Sequence, residues 1–174
     1  MRLRTQLPEC CLRPWMPEDR PDLVRHANNR SIWRNLTDNF PHPYTSADAD
    51  FWIRFANQDT PRLHFAIEFG KVAIGGIGIA AGEGLACRTG QFGYWIGEEY
   101  WGKGIGTAVA RAMVDYARQY LHFTRLEAPV FEWNSPSMRI LEKIGFVRDG
   151  VLKRRLFKDK QLINSFIYSL VLST

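Results

Sequence analysis

Three glycines stand within five residues of this 174-residue chain, in the run Gly102-Lys103-Gly104-Ile105-Gly106-Thr107. An amphipathic segment follows at once, so the run belongs at the start of a helix, where the first amide N–H groups have no partner within the helix. These donors, with the positive end of the helix dipole, suit a diphosphate. Glycine has no Cβ that would hold phosphates away from the backbone. The spacing therefore predicts a phosphate-binding glycine loop over residues 102–107.

Two familiar phosphate loops fit this run poorly. Gly97, followed by four residues and then Gly102-Lys103, satisfies most of a nucleoside-triphosphatase pattern, but Gly104 stands where magnesium binding needs Ser or Thr. A dinucleotide fingerprint needs its third glycine at position 107, which is Thr107. A glycine-rich turn that binds nothing stays open as a third interpretation.

A second motif, Asn134-Ser135-Pro136-Ser137, has the composition of a helix start. Asn134 or Ser135 suits an N-terminal cap, Pro136 suits the first helical position, and Gly145 suits a left-handed C-terminal cap. The motif predicts a helix over residues 136–144.

Periodicity and turn residues predict an α+β fold with one twisted, mostly antiparallel sheet of about seven strands flanked by helices. A meander precedes the glycine loop and a single parallel crossover follows it. One face of the helix after the loop carries an apolar stripe, formed by Val109, Ala112, Met113, Tyr116, Ala117 and Tyr120. The predicted strands cover 9–15, 63–69, 72–81, 88–96, 125–132, 146–156 and 161–171, and the predicted helices cover 17–26, 45–57, 104–121 and 136–144.

The runs GYWIGEEYWGKGIGTAVARAMVDYA and EWNSPSMRILEKIGF resemble the GCN5-related N-acetyltransferase (GNAT) superfamily, most closely its RimJ/RimL-like branch of ribosomal-protein N-terminal acetyltransferases. The resemblance implies a single N-acetyltransferase domain over residues 1–174 whose central strands splay apart. It also implies acetyl-CoA as cosubstrate and direct transfer of the acetyl group to a primary amine, on a protein N-terminus or a small molecule. A catalytically silent module that binds or senses acyl-CoA is the alternative.

The same resemblance implies which residues hold coenzyme A. The strand edge at Trp95, Ile96 and Gly97 would pair with the amides of the pantetheine arm as an added strand does, and Asn134 would face the same arm. Asn134 is then either a cap alone or a cap that also contacts the cosubstrate. The superfamily's phosphate motif begins at Trp101, where Arg or Gln is usual. The residues expected at the phosphates are Trp101, Gly102, Lys103, Gly104, Ile105, Gly106 and Thr107.

Ser137 is the residue that the resemblance assigns to protonation of the departing thiolate. It lies three residues after Asn134, the position that the RimL-like branch uses, while the Tyr that many members carry seven residues after this Asn is Leu141 here. Ser137 as an ordinary first-turn residue remains the alternative. An amide N–H near Ile96 is the expected donor to the oxyanion.

The sequence offers no obvious general base. Gln91 and Leu156 stand where related sequences carry one. Glu132, two residues before Asn134, is the retained candidate, and the weaker ones are Glu68, Glu83, His42 and His64. An α-amine with a pKa of about 7.7 to 8.0 is partly neutral at cellular pH, so positioning can replace a base.

Composition favours one domain of a cytoplasmic protein. The net charge of +5 suits a partner such as polyanionic coenzyme A. The sequence contains no basic helix with interleaved aromatic residues, so nucleic-acid binding is not expected. The opening MRLRTQLPECC lacks the apolar stretch of a signal peptide, and no apolar run approaches the roughly 20 residues of a membrane span. Cys10, Cys11 and Cys87 match no metal spacing, so no metal is expected. Monomer and homodimer both stay open.

Overall fold

The computed structural model describes residues 1–172, which form one eight-stranded sheet flanked by helices. The strands are β1 (Leu3–Arg4), β2 (Cys10–Arg13), β3 (His64–Phe69), β4 (Val72–Ala81), β5 (Thr89–Ile96), β6 (Arg125–Phe131), β7 (Val147–Lys158) and β8 (Gln161–Val171). The α-helices are α1 (Arg20–Ala27), α2 (Arg30–Trp33), α3 (Ser46–Phe55), α4 (Ile105–Tyr120) and α5 (Ser135–Lys143). The α+β prediction is confirmed, but the strand count of seven was too low. The additional strand β1 pairs only two residues with β2, too few to show an alternating pattern.

The sheet has the order β1-β2-β3-β4-β5-β6-β8-β7 and contains one parallel pair. That pair, β5 with β6, joins Thr89–Gln91 to Arg125–Glu127 and then stops, although both strands continue. The other neighbours are antiparallel. The expected splay between the central strands is therefore present from Phe92 onward, and it leaves the far half of β5 unpaired on its β6 side.

Helix α4 packs against β2 and β4. Its first turn lies next to the end of β5, since a Cβ on Gly106 would lie 3.6 Å from Ile96 Cδ1. Val109, Met113, Tyr116 and Ala117 are buried in the main core, as the apolar stripe predicted. Tyr120 is instead 54% exposed and packs its ring on Tyr116, with centroids 5.2 Å apart. Truncating a buried Met to Ala typically costs about 2–5 kcal/mol. The helix start is thus held by a tightly packed core.

A buried ion network ties β2 and β3 to the segment before α1. The Arg13 guanidinium donates to both oxygens of Asp19 at 2.6 and 2.7 Å and to Glu68 at 2.5 Å, and Arg2 also donates to Glu68 at 2.8 Å. Burial alone would raise the pKa of Glu68, but Arg13 and then Arg2 outweigh it and lower that pKa below its ordinary value. The carboxylate of Glu68, one of the weaker candidates for the general base, is therefore occupied by the two arginines and stabilises the fold.

The β7–β8 hairpin turns at Asp159 and Lys160, as predicted. Both residues have positive φ, 51° and 62°, which is the requirement of a two-residue type I′ turn. The turn packs onto α2, because Lys158 is buried between the Asp38 carboxylate at 2.6 Å and the Trp33 ring at 3.6 Å. The hairpin tip and α2 therefore form one unit.

Between residues 1 and 172, no helix combines the length and apolar character that crossing a membrane requires. Within the same residues, no group of three or more His, Cys, Asp or Glu side chains is placed to hold a metal ion.

Candidate active site

A cleft of about 770 Å³ opens where β5 and β6 separate. The end of β5, the glycine loop, the starts of α4 and α5, and α2 with the residues that follow it all contribute to its lining. Most of the residues expected to bind the cosubstrate meet here: Trp95, Ile96, Trp101, Gly102, Gly104, Ile105, Gly106, Thr107, Asn134 and Ser137. Gly97, Lys103 and Glu132 lie outside the lining.

The unpaired edge of β5 presents the Ile96 backbone to this cleft. The Gly97 N–H donates to the carbonyl of Ile74 in β4 at 2.7 Å, so the backbone of Gly97 faces β4. Because the N–H and C=O groups of successive strand residues point to opposite edges, those of Ile96 point away from β4 and into the splay. The Ile96 amide is thus available to a ligand, whereas the predicted contribution of the Gly97 amide is already used within the sheet.

The Trp101 side chain connects the glycine loop to the unpaired edge of β5. Its indole N–H donates to the Ile96 carbonyl at 2.7 Å, while the side chain remains 46% exposed. The residue that departs from the superfamily pattern therefore makes a specific contact of its own. It fixes the distance between the loop and the strand edge, and it leaves the Ile96 N–H free.

The three loop glycines serve two purposes. Gly102 and Gly104 have φ of 75° and 76°, and no atom lies within 4 Å of a Cβ built on either, so their Cα atoms face open space. Gly104 caps α4 in the left-handed conformation, and its carbonyl accepts from the Ala108 N–H, so the N–H groups of residues 105–107 start the helix. Gly106 differs, since its Cβ would come within 2.7 Å of Ile140 Cδ1. Gly106 lets α5 approach α4, a packing reason that the sequence interpretation did not include.

Lys103 does not reach into the cleft with its neighbours. Its ammonium lies 5.1 Å from the centroid of the Tyr100 ring. Ile105 is buried in the core, so it contributes backbone rather than side chain to the lining.

Ser137 forms a hydroxyl pair with Tyr94 inside the cleft. The Asn134 side chain accepts from the Ser137 N–H at 3.3 Å, which confirms its role as the cap of α5 and sets the position of Ser137. The Ser137 Oγ lies 3.1 Å from the Tyr94 hydroxyl oxygen. Burial raises the pKa of Tyr94 to about 12, against a smaller lowering by the Ser137 hydrogen bond. Tyr94 thus stays protonated near neutral pH and can supply a proton to its partner.

Tyr94 was not among the predicted site residues, although the sequence carried a signal for it. Alternate strand residues share a face, and Tyr94 stands two residues before Ile96, which was already assigned to the site. The contact with Ser137 crosses 43 positions of sequence and needed the structure.

Glu132 lies apart from Ser137 in this arrangement. The Glu132 side chain is exposed, and its two oxygens accept from the Asn164 backbone N–H at 3.1 Å and from the Asn164 side-chain amide at 2.8 Å. Asn164 in turn accepts from the Arg154 N–H at 2.8 Å across the hairpin. The carboxylate is therefore engaged with the β7–β8 hairpin rather than with the cleft.

The other candidate bases also lie outside the lining. His64 packs between the rings of Trp52 and Phe55, and burial lowers the pKa of its imidazole. His42 stacks on Trp33 with ring centroids 5.6 Å apart. Glu83 is in the exposed loop after β4. None of these groups is placed to take a proton from a molecule bound in the cleft.

Arg30, Arg34 and Trp133 form what we call the basic wall of the cleft. The Arg34 guanidinium carbon lies 4.3 Å from the centroid of the Trp133 ring. Asp159 at the hairpin tip contacts Arg30 at 2.6 Å and Arg34 at 3.4 Å. Helix α2, the residue that follows it and the β7–β8 hairpin thus meet at this wall.

The acetyltransferase (GNAT) domain model matches residues 9–147. The chain is 31% identical to the uncharacterized N-acetyltransferase p20 of Bacillus licheniformis over 47% of this chain and 46% of that protein. It is 34% identical to the uncharacterized N-acetyltransferase YoaA of Bacillus subtilis (strain 168) over 48% of each. The chain therefore spans about half the length of these curated relatives.

The solved structure of RimL, a ribosomal L7/L12 alpha-N-protein acetyltransferase in complex with coenzyme A, shares the fold. Its TM-score is 0.86 at 15% identity, with 99% of this chain and 98% of that chain covered. With the domain model matched over most of its length, the chain belongs to the acetyltransferase (GNAT) domain family.

Proposed function

We propose that this protein is an N-acetyltransferase that moves the acetyl group of acetyl-CoA to a primary amine by direct attack. One observation carries the proposal: the Ile96 edge, the open glycine loop and the Ser137–Tyr94 hydroxyl pair line a single cleft. Each matches a separate part of an acyl-CoA molecule: pantetheine, diphosphate and sulfur. We take the acceptor to be the α-amine of a peptide or a small amine.

Binding of acetyl-CoA, which supplies an activated thioester, is assigned to backbone groups. The N–H groups at the start of α4 and the left-handed glycines Gly102 and Gly104 hold the diphosphate. The backbone groups of Tyr94, which point to the same unpaired edge of β5 as those of Ile96, pair with the pantetheine amides as an added strand would, so the Ile96 N–H stays available to the acetyl oxygen. The Cα surfaces of both glycines are open, so the cradle fits a ligand that approaches the backbone closely.

In the reaction, the amine nitrogen forms a bond to the thioester carbon while the bond from that carbon to sulfur breaks. The Ile96 N–H stabilises the charge that develops on the acetyl oxygen. Ser137 donates its hydroxyl proton to the departing sulfur, Tyr94 returns a proton to Ser137, and the Tyr94 phenolate regains a proton from solvent, which balances the proton that the amine releases. Proton transfer of this kind contributes about 10²–10⁴-fold to rate.

The acceptor's proton needs no side-chain base in this scheme. No Asp, Glu or His among residues 1–172 lines the cleft. An α-amine is partly neutral near pH 7.5, and its excess proton leaves to solvent. Glu132 is assigned the task of positioning the hairpin through Asn164. The three free cysteines favour a reducing compartment, and we propose that the protein acts in the cytoplasm.

Two measurements test the proposal. Calorimetry with coenzyme A measures binding, and release of free thiol from acetyl-CoA measures turnover with N-terminal peptides, polyamines and aminoglycosides. We expect binding and amine-dependent thiol release. Binding without amine-dependent release from any acceptor would instead identify a silent acyl-CoA module.

A further inference from the structure

The charged side chains that line the cleft all carry positive charge. Arg30 and Arg34 belong to the basic wall, and Arg139 and Lys143 belong to α5. Within residues 1–172 no carboxylate lines the cleft to balance them. The cleft therefore offers no negative charge to a polycationic acceptor, whereas it offers several positive charges to an anionic one.

The pair on α5 is accounted for by the cosubstrate. Arg139 and Lys143 flank Ile140, and Ile140 is the residue that Gly106 in the first turn of α4 allows to approach. Both cations therefore stand beside the predicted diphosphate cradle. The phosphates of the cosubstrate neutralise these two positive charges. The positive charge of the basic wall therefore remains available to the acceptor.

Arg34 has the properties of an anion-binding group with unused donors. Its guanidinium carbon lies over the Trp133 ring, and its side chain makes no hydrogen bond to any residue in the range 1–172. Its contact with Asp159 is an ion pair at 3.4 Å through Nε, so the two terminal nitrogens remain available. Asp159 also forms an ion pair with Arg30. One carboxylate is thus shared by two guanidinium groups, and the three side chains together carry a net positive charge.

We propose that Arg34, with Arg30 beside it, binds a carboxylate of the acceptor, and that the preferred acceptor is the N-terminus of an acidic peptide. The inference rests on the proposed function and names its substrate class. A planar guanidinium receives a carboxylate through two parallel hydrogen bonds, and contact with the Trp133 ring restrains the Arg34 side chain within the cleft wall. The carboxylate places the peptide while its α-amine reaches the thioester.

The test compares dipeptide amides that differ in one side chain. Thiol release gives kcat/KM for seryl-aspartyl amide, its neutral isostere seryl-asparaginyl amide, and seryl-lysyl amide. We expect the aspartyl peptide to exceed the asparaginyl one by about 10- to 100-fold, the range for a charge-assisted contact at a partly exposed site. In Arg34→Gln the ratio should fall to within about 2-fold, since the guanidinium that receives the carboxylate is lost. Coenzyme A affinity should not change.

Two further variants and one acceptor complete the design. Arg20→Gln removes an arginine that pairs with Asp50 outside the cleft, and it should keep the full preference. Arg34→Lys keeps the charge but loses the planar fork, and it should retain only part of the preference. Seryl-asparagine with a free C-terminus tests the other source of a carboxylate, and its use in preference to seryl-aspartyl amide would overturn the assignment to a peptide side chain.

Equal use of the aspartyl and asparaginyl peptides by the unaltered protein would overturn the inference, and so would an equal loss with all peptides in Arg34→Gln. Failure of every amine to release thiol would contradict the proposed function instead. In that case calorimetry of seryl-aspartyl amide with the coenzyme A-loaded protein decides the inference. Weaker binding by Arg34→Gln supports it, and unchanged binding overturns it.

Discussion

Replacing Gly104 by aspartate tests whether the glycine loop holds the diphosphate. Gly104 has φ of 76°, and a Cβ there meets no atom within 4 Å, so the new side chain fits the protein itself. The left-handed backbone makes a non-glycine residue cost about 1–2 kcal/mol in stability. The variant should therefore fold, with a lower melting temperature, and present a carboxylate where the phosphates approach.

The loss of affinity follows from the added charge. A carboxylate about 5 Å from a phosphate at an effective dielectric of 20 is repelled by about 3 kcal/mol. Rotation of the exposed side chain and salt screening reduce this to about 1.5–2 kcal/mol, which is about a 10- to 30-fold weaker Kd for coenzyme A. Isothermal calorimetry at two salt concentrations measures the effect, and higher salt should narrow the gap.

Gly84→Asp is the matched control, because Gly84 also has positive φ, 54°, and an open Cβ position, but it does not line the cleft. It should lose similar stability and keep its affinity for coenzyme A. Gly104→Ala separates bulk from charge and should fall between the two. Native affinity in a folded Gly104→Asp protein would refute the placement of the diphosphate at this loop.

The sequence predicted the long elements because each carries its own local signal. Helix α4 has a 3.6-residue apolar stripe with a glycine start, and the strands end at Gly, Asp and Lys turns. Two short elements were missed. Strand β1 has two residues, and α2 has four, although Asn29 caps α2 by accepting from the Ser31 and Ile32 N–H groups. Four residues are too few to show helical periodicity, so only the cap could have indicated α2.

The parts of the candidate site that are formed by backbone groups could be predicted from the sequence. The contacts between side chains of distant segments could not. The glycine loop follows from spacing, and the edge of β5 follows from the resemblance to the superfamily. A ligand at either place contacts backbone N–H groups, which do not depend on side-chain identity. The partnerships Tyr94 with Ser137 and Arg34 with Trp133 join segments 43 and 99 positions apart. Nothing in either local stretch specifies its partner. The same reason explains Glu132, which is near Asn134 in sequence but is held by Asn164 of the hairpin.

Three further predictions address the ion network, Glu132 and the hydroxyl pair. Glu68→Gln should lower the free energy of unfolding by about 3 kcal/mol in urea titrations at pH 7, because Arg13 is left buried with one partner fewer. Since folding lowers the pKa of Glu68, its contribution is present above the unfolded pKa of about 4.3 and is lost as pH falls through the folded value, so the difference from the unaltered protein should close in acid. Glu132→Gln should leave the pH profile of thiol release unchanged, and a flattened acidic limb would restore Glu132 as the base. Ser137→Ala should lower kcat by about 100-fold with coenzyme A affinity nearly unchanged, because proton donation to sulfur matters in the transition state and little in the ground state. Tyr94→Phe keeps the Ser137 hydroxyl and removes only its proton source, so its loss should be smaller, and the double variant should lose no more than Ser137→Ala alone. Additive losses in the double variant would show that the two hydroxyl groups act independently, and the relay from Tyr94 through Ser137 would then be wrong.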